Sequence, residues 1–171
     1  MAEAPFTSAA GEVWYGCHTR PRCEKKFAEL MRAEGFAHYL PLMPSVRRYH
    51  NQTKRFTKPL FTGYVFARVP LEKKARVYQQ DLLARVLPVE DEPRFLRQLE
   101  GVRSIVASGY ELSLMPLLTR GRCVKVIGGP LHGLQGVVDD PSNPNGVVLS
   151  VDVLRQGLFV KIPAENLQVL P

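Results

Sequence analysis

Several features of membrane and secreted proteins are missing from this 171-residue sequence. No apolar run is long enough to span a bilayer, and the N-terminus lacks the basic start and apolar stretch of a signal peptide. Only three cysteines are present, an odd number that is too small for a disulfide framework. We therefore expect a cytoplasmic protein with reduced cysteines and no contact with a membrane.

Motifs of catalysis are also missing. Gly128 and Gly133 have the spacing of a phosphate-binding loop, but Leu134 occupies the position where such a loop requires lysine. The two glycines are better explained as turn residues between strands. Nothing resembles a nucleophile elbow or a pair of catalytic carboxylates. We expect no catalytic residue, no cofactor and no enzymatic activity.

One segment, WYGCHTRPRCEKKF at 14–27, places two cysteines and a histidine close together in sequence. Cys17 and His18 are neighbours on a predicted strand, so their side chains should point to opposite faces. Cys23 falls on the apolar side of the helix predicted to follow. Because three ligands do not converge from these positions, and no other Cys or His pair has zinc-site spacing, we expect no metal site.

What the sequence does contain is a concentrated excess of basic residues. The net charge is +7, and residues 20–76 alone hold fourteen Lys and Arg against four Asp and Glu. Such a stretch is typical of a surface that faces a polyanion. A solvated basic face that aids solubility is the alternative, since charge alone does not name a partner.

Hydrophobic periodicity predicts an α+β domain at 11–109. The predicted strands are 13–18, 45–50, 62–69 and 83–89, with a polar hairpin turn at 51–54. The first predicted helix is 22–34. A second has Leu71, Ala75, Tyr78 and Leu82 on its inner side, and a third opens at Pro93, ends at Gly109 and buries Leu96, Leu99, Val102 and Val106.

The rest of the chain is predicted to be all β. Residues 110–119 show no clear period and are interpreted as a short linker. Residues 120–171 form the second predicted domain, with strands at 123–127, 136–138, 147–154, 158–162 and 167–170. Short strands separated by Gly, Pro and Asn turns are typical of a small barrel.

The strand TGYVFARV at 62–69 allows three interpretations. Its alternation puts Tyr64, Phe66 and Arg68 on one face. The segment partly resembles the aromatic strand of RNA-recognition motifs. Alternatively, Tyr64 and Phe66 pack against a helix in the core, or they line an exposed apolar groove for a helix of another protein. The pattern alone leaves all three open.

Two larger parts of the sequence resemble a known family. GRCVKVIGGPLHGLQGVV at 121–138 resembles the KOW motif of NusG-type transcription factors and certain ribosomal proteins. The matching residues are Val124, Val126, Gly129, Pro130, Gly133 and Gly136. Upstream, WYGCHTRPRCEKKF, YLPLMPS and KPLFTGYVFARV resemble the NusG N-terminal (NGN) domain in order and spacing. KPLFTGYVF and GPLHGLQGVV are similar to the specialised RfaH and UpxY-like paralogues at least as much as to the housekeeping factor.

The resemblance implies a fold and a set of contacts. The first domain would be an NGN-type antiparallel sheet flanked by helices, and the second a small SH3-like β-barrel of KOW type. An apolar, aromatic-lined patch would dock on the clamp helices of the RNA polymerase β′ subunit. That patch would comprise His18, Phe61, Tyr64 and Phe66. The basic residues placed near the upstream fork and the non-template DNA would be Arg20, Lys25 and Lys26.

The resemblance also implies a function. A monomeric factor would bind RNA polymerase, suppress pausing or termination, and recruit Rho or the ribosomal protein NusE through its KOW domain. In RfaH this domain can fold as a helical hairpin that masks the patch, but the valine-rich segment 147–160 favours strands, so we expect a barrel. The alternative is an RNA-binding protein with an RNA-recognition-like sheet and a ribosomal-type KOW barrel.

Overall fold

A computed structural model describes residues 4–118 and 120–171 of the protein. The chain forms two compact units, one of residues 7–90 and the other of residues 4–6 and 91–171. Both units combine helices with antiparallel sheets. The α+β prediction was made for residues 11–109, and the rest of the chain was predicted to be all β. One residue of the predicted linker, Thr119, lies outside the described residues.

The unit of residues 7–90 contains a four-stranded sheet, a separate two-stranded hairpin and two helices. In chain order its elements are β1 (Glu12–Thr19), α1 (Glu24–Ala33), β2 (His38–Tyr39), β3 (Leu42–Tyr49), β4 (Gln52–Pro59), β5 (Tyr64–Pro70), α2 (Lys74–Tyr78) and β6 (Leu83–Pro88). The larger sheet has the order β2-β5-β1-β6, and β3 pairs only with β4.

A hydrophobic core of this unit lies on one face of the larger sheet. Alternate residues of β5, Val65, Ala67 and Val69, are buried there together with Phe27 and Met31 of α1. The alternation predicted for 62–69 is therefore confirmed on this face. Each large apolar side chain buried in this way contributes roughly 1.5–3 kcal/mol.

Three local predictions for this unit were wrong. Helix α1 begins at Glu24 instead of at residue 22, because Arg22 has a φ of 62°, outside the helical region. The hairpin turn consists of His50 and Asn51, both with positive φ, instead of 51–54. The helix after β5 is shorter than predicted. Leu71, which was predicted to lie on its inner side, is 57% exposed, and the buried residue of the helix is Val77.

The second unit begins with α3 (Glu92–Ser108), whose ends were predicted well. The Asp91 carboxylate accepts a hydrogen bond from the Arg94 backbone N–H at 3.1 Å, and Gly109 ends the helix with a φ of 75°. The buried stripe is rotated from the predicted one. It comprises Phe95, Gln98, Leu99, Gly101, Val102 and Ile105.

The remainder of the second unit is a six-stranded antiparallel sheet in the order β12-β8-β9-β10-β11-β7. Its strands are β7 (Leu112–Pro116), β8 (Arg122–Val126), β9 (Gln135–Val138), β10 (Gly146–Val151), β11 (Gln156–Lys161) and β12 (Leu167–Val169). The five predicted strands are all present. Strand β7 lies in the segment interpreted as a linker, where it pairs with β11.

The C-terminal sheet is not a closed barrel in the part of the chain that the structure describes. Closure requires the two edge strands to pair, and here β12 and β7 remain the ends of the sheet. The predicted SH3-like barrel is therefore not confirmed. The valine-rich residues of β10 and β11 do form strands, as their β-propensity predicted.

Candidate functional site

The first part of the site is a stacked pair of rings on the larger sheet. His18 of β1 and Tyr64 of β5 are cross-strand partners, and their rings stack with centroids 4.7 Å apart and an interplanar angle of 18°. Both side chains are partly exposed. They lie on the sheet face opposite Val65 and Cys17 and can contact a partner without disturbing the core between the sheet and α1.

Gly63 shapes this pair. Its φ of +88° lies in the left-handed region that favours glycine, and a Cβ atom built there would lie 3.4 Å from His18 Cδ2 and Nε2. The backbone N–H of Thr19 donates to the Gly63 carbonyl at 2.8 Å, which ties the end of β1 to this turn. Glycine at position 63 therefore permits this turn and leaves room for the His18 ring beside it.

The other two predicted patch residues lie beneath the surface. Phe61 and Phe66 are 0% exposed, and their rings meet edge to face with centroids 6.1 Å apart. The ring of Tyr39 also stacks against Phe66, at 6.5 Å. The structure thus brings Phe61 and Phe66 together as a buried pair, while His18 and Tyr64 supply the accessible surface.

The three predicted nucleic-acid-facing residues are all exposed, at the end of β1 and the start of α1. The backbone N–H of Arg20 donates to the Leu82 carbonyl at 2.8 Å and anchors the end of β1, while the residue itself is exposed. Lys25 Nζ donates to the Thr57 carbonyl oxygen at 2.6 Å and connects α1 to strand β4. Lys26 follows in the first turn of the helix.

The cysteines and histidine of the segment 14–27 do not form a metal site. Cys17 is buried, and burial raises the pKa of its thiol to about 12, so it stays protonated at neutral pH. His18 points to the other face of the strand, and Cys23 precedes α1 at its N-cap position. Within residues 4–118 and 120–171, no group of three His, Cys, Asp or Glu side chains could hold a metal ion.

The KOW-like residues occupy β8, β9 and the loop between them. Val124 and Val126 are buried in β8, and Gly129 and Gly133 adopt φ values of +81° and +91° in the loop that contains Pro130. Gly136 pairs with Val124. A Cβ atom at Gly136 would collide with Val147 and the Val148 carbonyl, so glycine lets β9 and β10 approach closely.

Sequence reasoning missed one candidate surface, the hairpin of β3 and β4. Its exposed side chains include Val46, Tyr49 and Phe56 beside several basic residues. The turn was predicted at the wrong position. Because the turn sets the register of the hairpin, and the register determines which side chains share a face, the group of exposed side chains was not recognised. The signal in the sequence was a short polar turn between two segments rich in basic and aromatic residues.

Residues 12–120 match the family model described as "NusG: Transcription termination factor nusG". The chain belongs to the NusG family. NusG-family proteins are non-enzymatic transcription factors, in agreement with the expectation that the chain is not an enzyme, and membership supports a general role in transcription elongation.

Comparison of this NusG-family chain with other proteins adds two findings. None of the curated proteins matches it. Among solved structures, it is similar to a chain of "Crystal Structure of MjSpt4:Spt5 complex conformation B", with 16% identity, a TM-score of 0.31, and coverage of 92% of this chain and 96% of that chain. Across the described part of this NusG-family chain, no helix is long and apolar enough to cross a bilayer.

Proposed function

We propose that this NusG-family protein is a specialised elongation factor of the RfaH and UpxY-like type. It binds RNA polymerase at the β′ clamp helices, acts as a monomer in the cytoplasm, and suppresses pausing or termination. A factor that binds the closed, elongating state of the polymerase more tightly than the paused state shifts the population toward elongation. No covalent chemistry is needed for this effect.

The observation that carries the proposal is the partly exposed His18 and Tyr64 pair, on the sheet face that also carries the buried Phe66 ring. An aromatic residue held rigidly on a sheet loses little side-chain entropy when it binds, and such residues anchor protein interfaces. Stacking of the two rings on each other restricts their motion. This arrangement suits a helical partner with an apolar stripe.

The nucleic-acid side of the proposal involves Arg20, Lys25 and Lys26. These residues would contact phosphates of the upstream fork or the non-template strand while the sheet holds the polymerase. Phosphate contacts are sequence-independent and depend steeply on salt, because binding releases counterions. We therefore propose that these three residues position the factor on DNA and do not recognise a specific DNA element.

The C-terminal unit is proposed to act as a KOW domain that recruits a second factor, either Rho or NusE. The support for this step is the position of the KOW-like glycines, which shape the loop between β8 and β9. The matched family model is described as a transcription termination factor, and recruitment of Rho would promote termination. A transcription assay with and without Rho separates the two outcomes.

An RNA-binding protein with an RNA-recognition-like sheet is the alternative. That function requires exposed aromatic rings on the sheet as stacking platforms. Phe66 is 0% exposed and the Tyr64 ring is already stacked on His18. This face therefore offers bases little free ring surface, and we favour the polymerase-binding function.

The experiment that tests the proposal is a binding assay between the full chain and core RNA polymerase. Tyr64→Ala should weaken binding while the far-UV circular dichroism spectrum stays unchanged. Leu71→Ala is a matched control, because Leu71 is an exposed apolar residue outside the proposed patch. Equal binding by wild-type protein and Tyr64→Ala would contradict the proposal.

A further inference from the structure

The β3 and β4 hairpin is a two-stranded sheet of its own. Every residue from 46 to 58 is exposed, and the two strands are joined by His50 and Asn51, whose φ values are 42° and 66°. Positive φ at both positions is typical of the tight turn that matches the twist of a hairpin. The register of the side chains along the hairpin is therefore fixed.

The charge of the hairpin is entirely of one sign. Residues 42–59 contain five Lys and Arg and no Asp or Glu, and no acidic residue occurs anywhere between Glu34 and Glu72. Arg47 and Lys54 are direct cross-strand partners. Like charges opposite each other destabilise a strand pair, so this arrangement costs folding free energy that a bound anion would offset.

The register places different side chains on the two faces. Cross-strand neighbours and residues two apart share a face. The first face, which we call the aromatic face, carries Ser45, Arg47, Tyr49, Gln52, Lys54, Phe56 and Lys58. The second face carries Val46, Arg48, Thr53 and Arg55. Both faces are basic, but only the aromatic face contains rings.

Arg47 connects the two rings of the aromatic face. Its Cζ atom lies 5.3 Å from the centroid of the Phe56 ring, and its Nη1 donates to the Tyr49 hydroxyl at 3.1 Å. Both rings remain accessible, with Phe56 36% and Tyr49 48% exposed. Lysines on an exposed strand also prevent pairing with other chains, but this does not explain two exposed rings among them.

We propose that the aromatic face of this hairpin binds single-stranded nucleic acid. Bases stack on Phe56 and Tyr49, while Arg47, Lys54 and Lys58 contact the phosphates. Exposed rings beside cations are the combination that binds single strands, since every base has a face that can stack. The proposal adds a second nucleic-acid contact to the proposed function. It is tested without polymerase, so its failure would leave the polymerase-binding function untouched.

The test measures binding of the full chain to a fluorescent, mixed-sequence single-stranded DNA and to a duplex of the same length. Arg47→Gln with Lys54→Gln removes two charges from the aromatic face. Arg48→Gln with Arg55→Gln removes the same charge from the opposite face and is the matched control. Tyr49→Leu and Phe56→Leu remove the rings without a change in charge.

We expect the aromatic-face pair to lose on the order of tenfold in single-strand affinity and the control pair to lose less than about threefold. Each ring variant should lose about fivefold or more, in line with typical stacking contributions. Circular dichroism should show that all four variants fold. Tyr64→Ala should bind the oligonucleotide as well as wild type does, which separates this result from polymerase binding.

Equal losses for the two charge pairs would overturn the proposal, because binding would then depend on charge alone. Unchanged affinity in both ring variants, or tighter binding of the duplex than of the single strand, would also overturn it.

Discussion

The rings of His18 and Tyr64 stack at 4.7 Å across the β1 and β5 pair. The two side chains stand on the sheet face opposite the core formed with α1, whereas Phe61 and Phe66 are fully buried. This relationship divides the four residues of the predicted patch into two accessible and two supporting members. The first two predictions follow from that division.

Tyr64→Ala should weaken polymerase binding by about tenfold or more, the effect expected when a central aromatic anchor is truncated. Because the side chain is partly exposed, the free energy of unfolding should change little. Fluorescence-detected titration with core polymerase measures the affinity, and urea unfolding measures the stability. A large loss of stability without a separate loss of affinity would assign Tyr64 to the core.

Phe61→Ala and Phe66→Ala should instead destabilise the fold. Both side chains are fully buried, and truncation of a buried Phe typically costs about 3–5 kcal/mol through lost burial and the cavity that remains. The midpoint of urea unfolding should fall strongly for both variants. Wild-type stability in either one would show that its ring is exposed in solution and belongs to the binding surface directly.

Charge reversal at Arg20, Lys25 and Lys26 should reduce the effect on pausing without releasing the factor from polymerase. These side chains are exposed, and their proposed partners are phosphates, so the loss should shrink as salt is raised. A single-round transcription assay at two salt concentrations measures this, with polymerase binding followed in parallel. Loss of both binding and activity would place the three residues in the polymerase interface.

Gly136→Ala should destabilise the C-terminal sheet. The added Cβ atom would meet Val147 and the Val148 carbonyl, and overpacking of this kind typically costs about 1–3 kcal/mol. Gly109→Ala is the comparison, since it has a strained φ of +75° but open space around it. Amide exchange in β9 and β10 should accelerate in Gly136→Ala only. Equal exchange rates in the two variants would contradict the close approach of these strands.

Acid should weaken the contact between α3 and the end of β10. Burial raises the pKa of Asp152, but hydrogen bonds from Arg94 and Gln98 and the Arg94 charge outweigh that effect, so the pKa lies below its usual range. A lowered folded-state pKa contributes stability that is present above about pH 4 and is lost as the pH falls further.

Asp152→Asn tests this contribution. Both partners of the Arg94 and Asp152 ion pair are about half exposed, so the variant should lose less than about 1 kcal/mol at neutral pH. The difference from wild type should shrink steadily as the pH falls below about 4 in urea unfolding experiments. A difference that persists at low pH would show that the charge of Asp152 is not what matters.

Strand alternation was the most informative signal in the sequence. It placed Val65, Ala67 and Val69 together on one face, which the structure shows to be buried, because side chains on a strand alternate with a period of two. It could not decide whether the opposite face was covered, and so it grouped Phe66 with the accessible Tyr64. Whether a second layer packs on a face depends on elements distant in sequence.

The missed elements have similar explanations. Strand β7 exists because Leu114 pairs with Leu158 of β11, a contact between residues far apart in the chain. The apolar positions after β5 suggested a longer helix, but the chain turns at Gln80, whose carbonyl accepts from Leu83 N–H at 3.1 Å, to enter β6. Local propensity is overridden in both places by the pairing of strands.

The central claim is that this NusG-family protein binds the clamp helices of RNA polymerase through the face that carries His18 and Tyr64. The most direct measurement is a pull-down of core polymerase with the full chain, repeated with polymerase whose β′ clamp helices carry charge substitutions. We predict strong retention of unaltered polymerase and loss of the altered enzyme, with Tyr64→Ala reproducing that loss on unaltered polymerase. Equal retention of both polymerases would contradict the account.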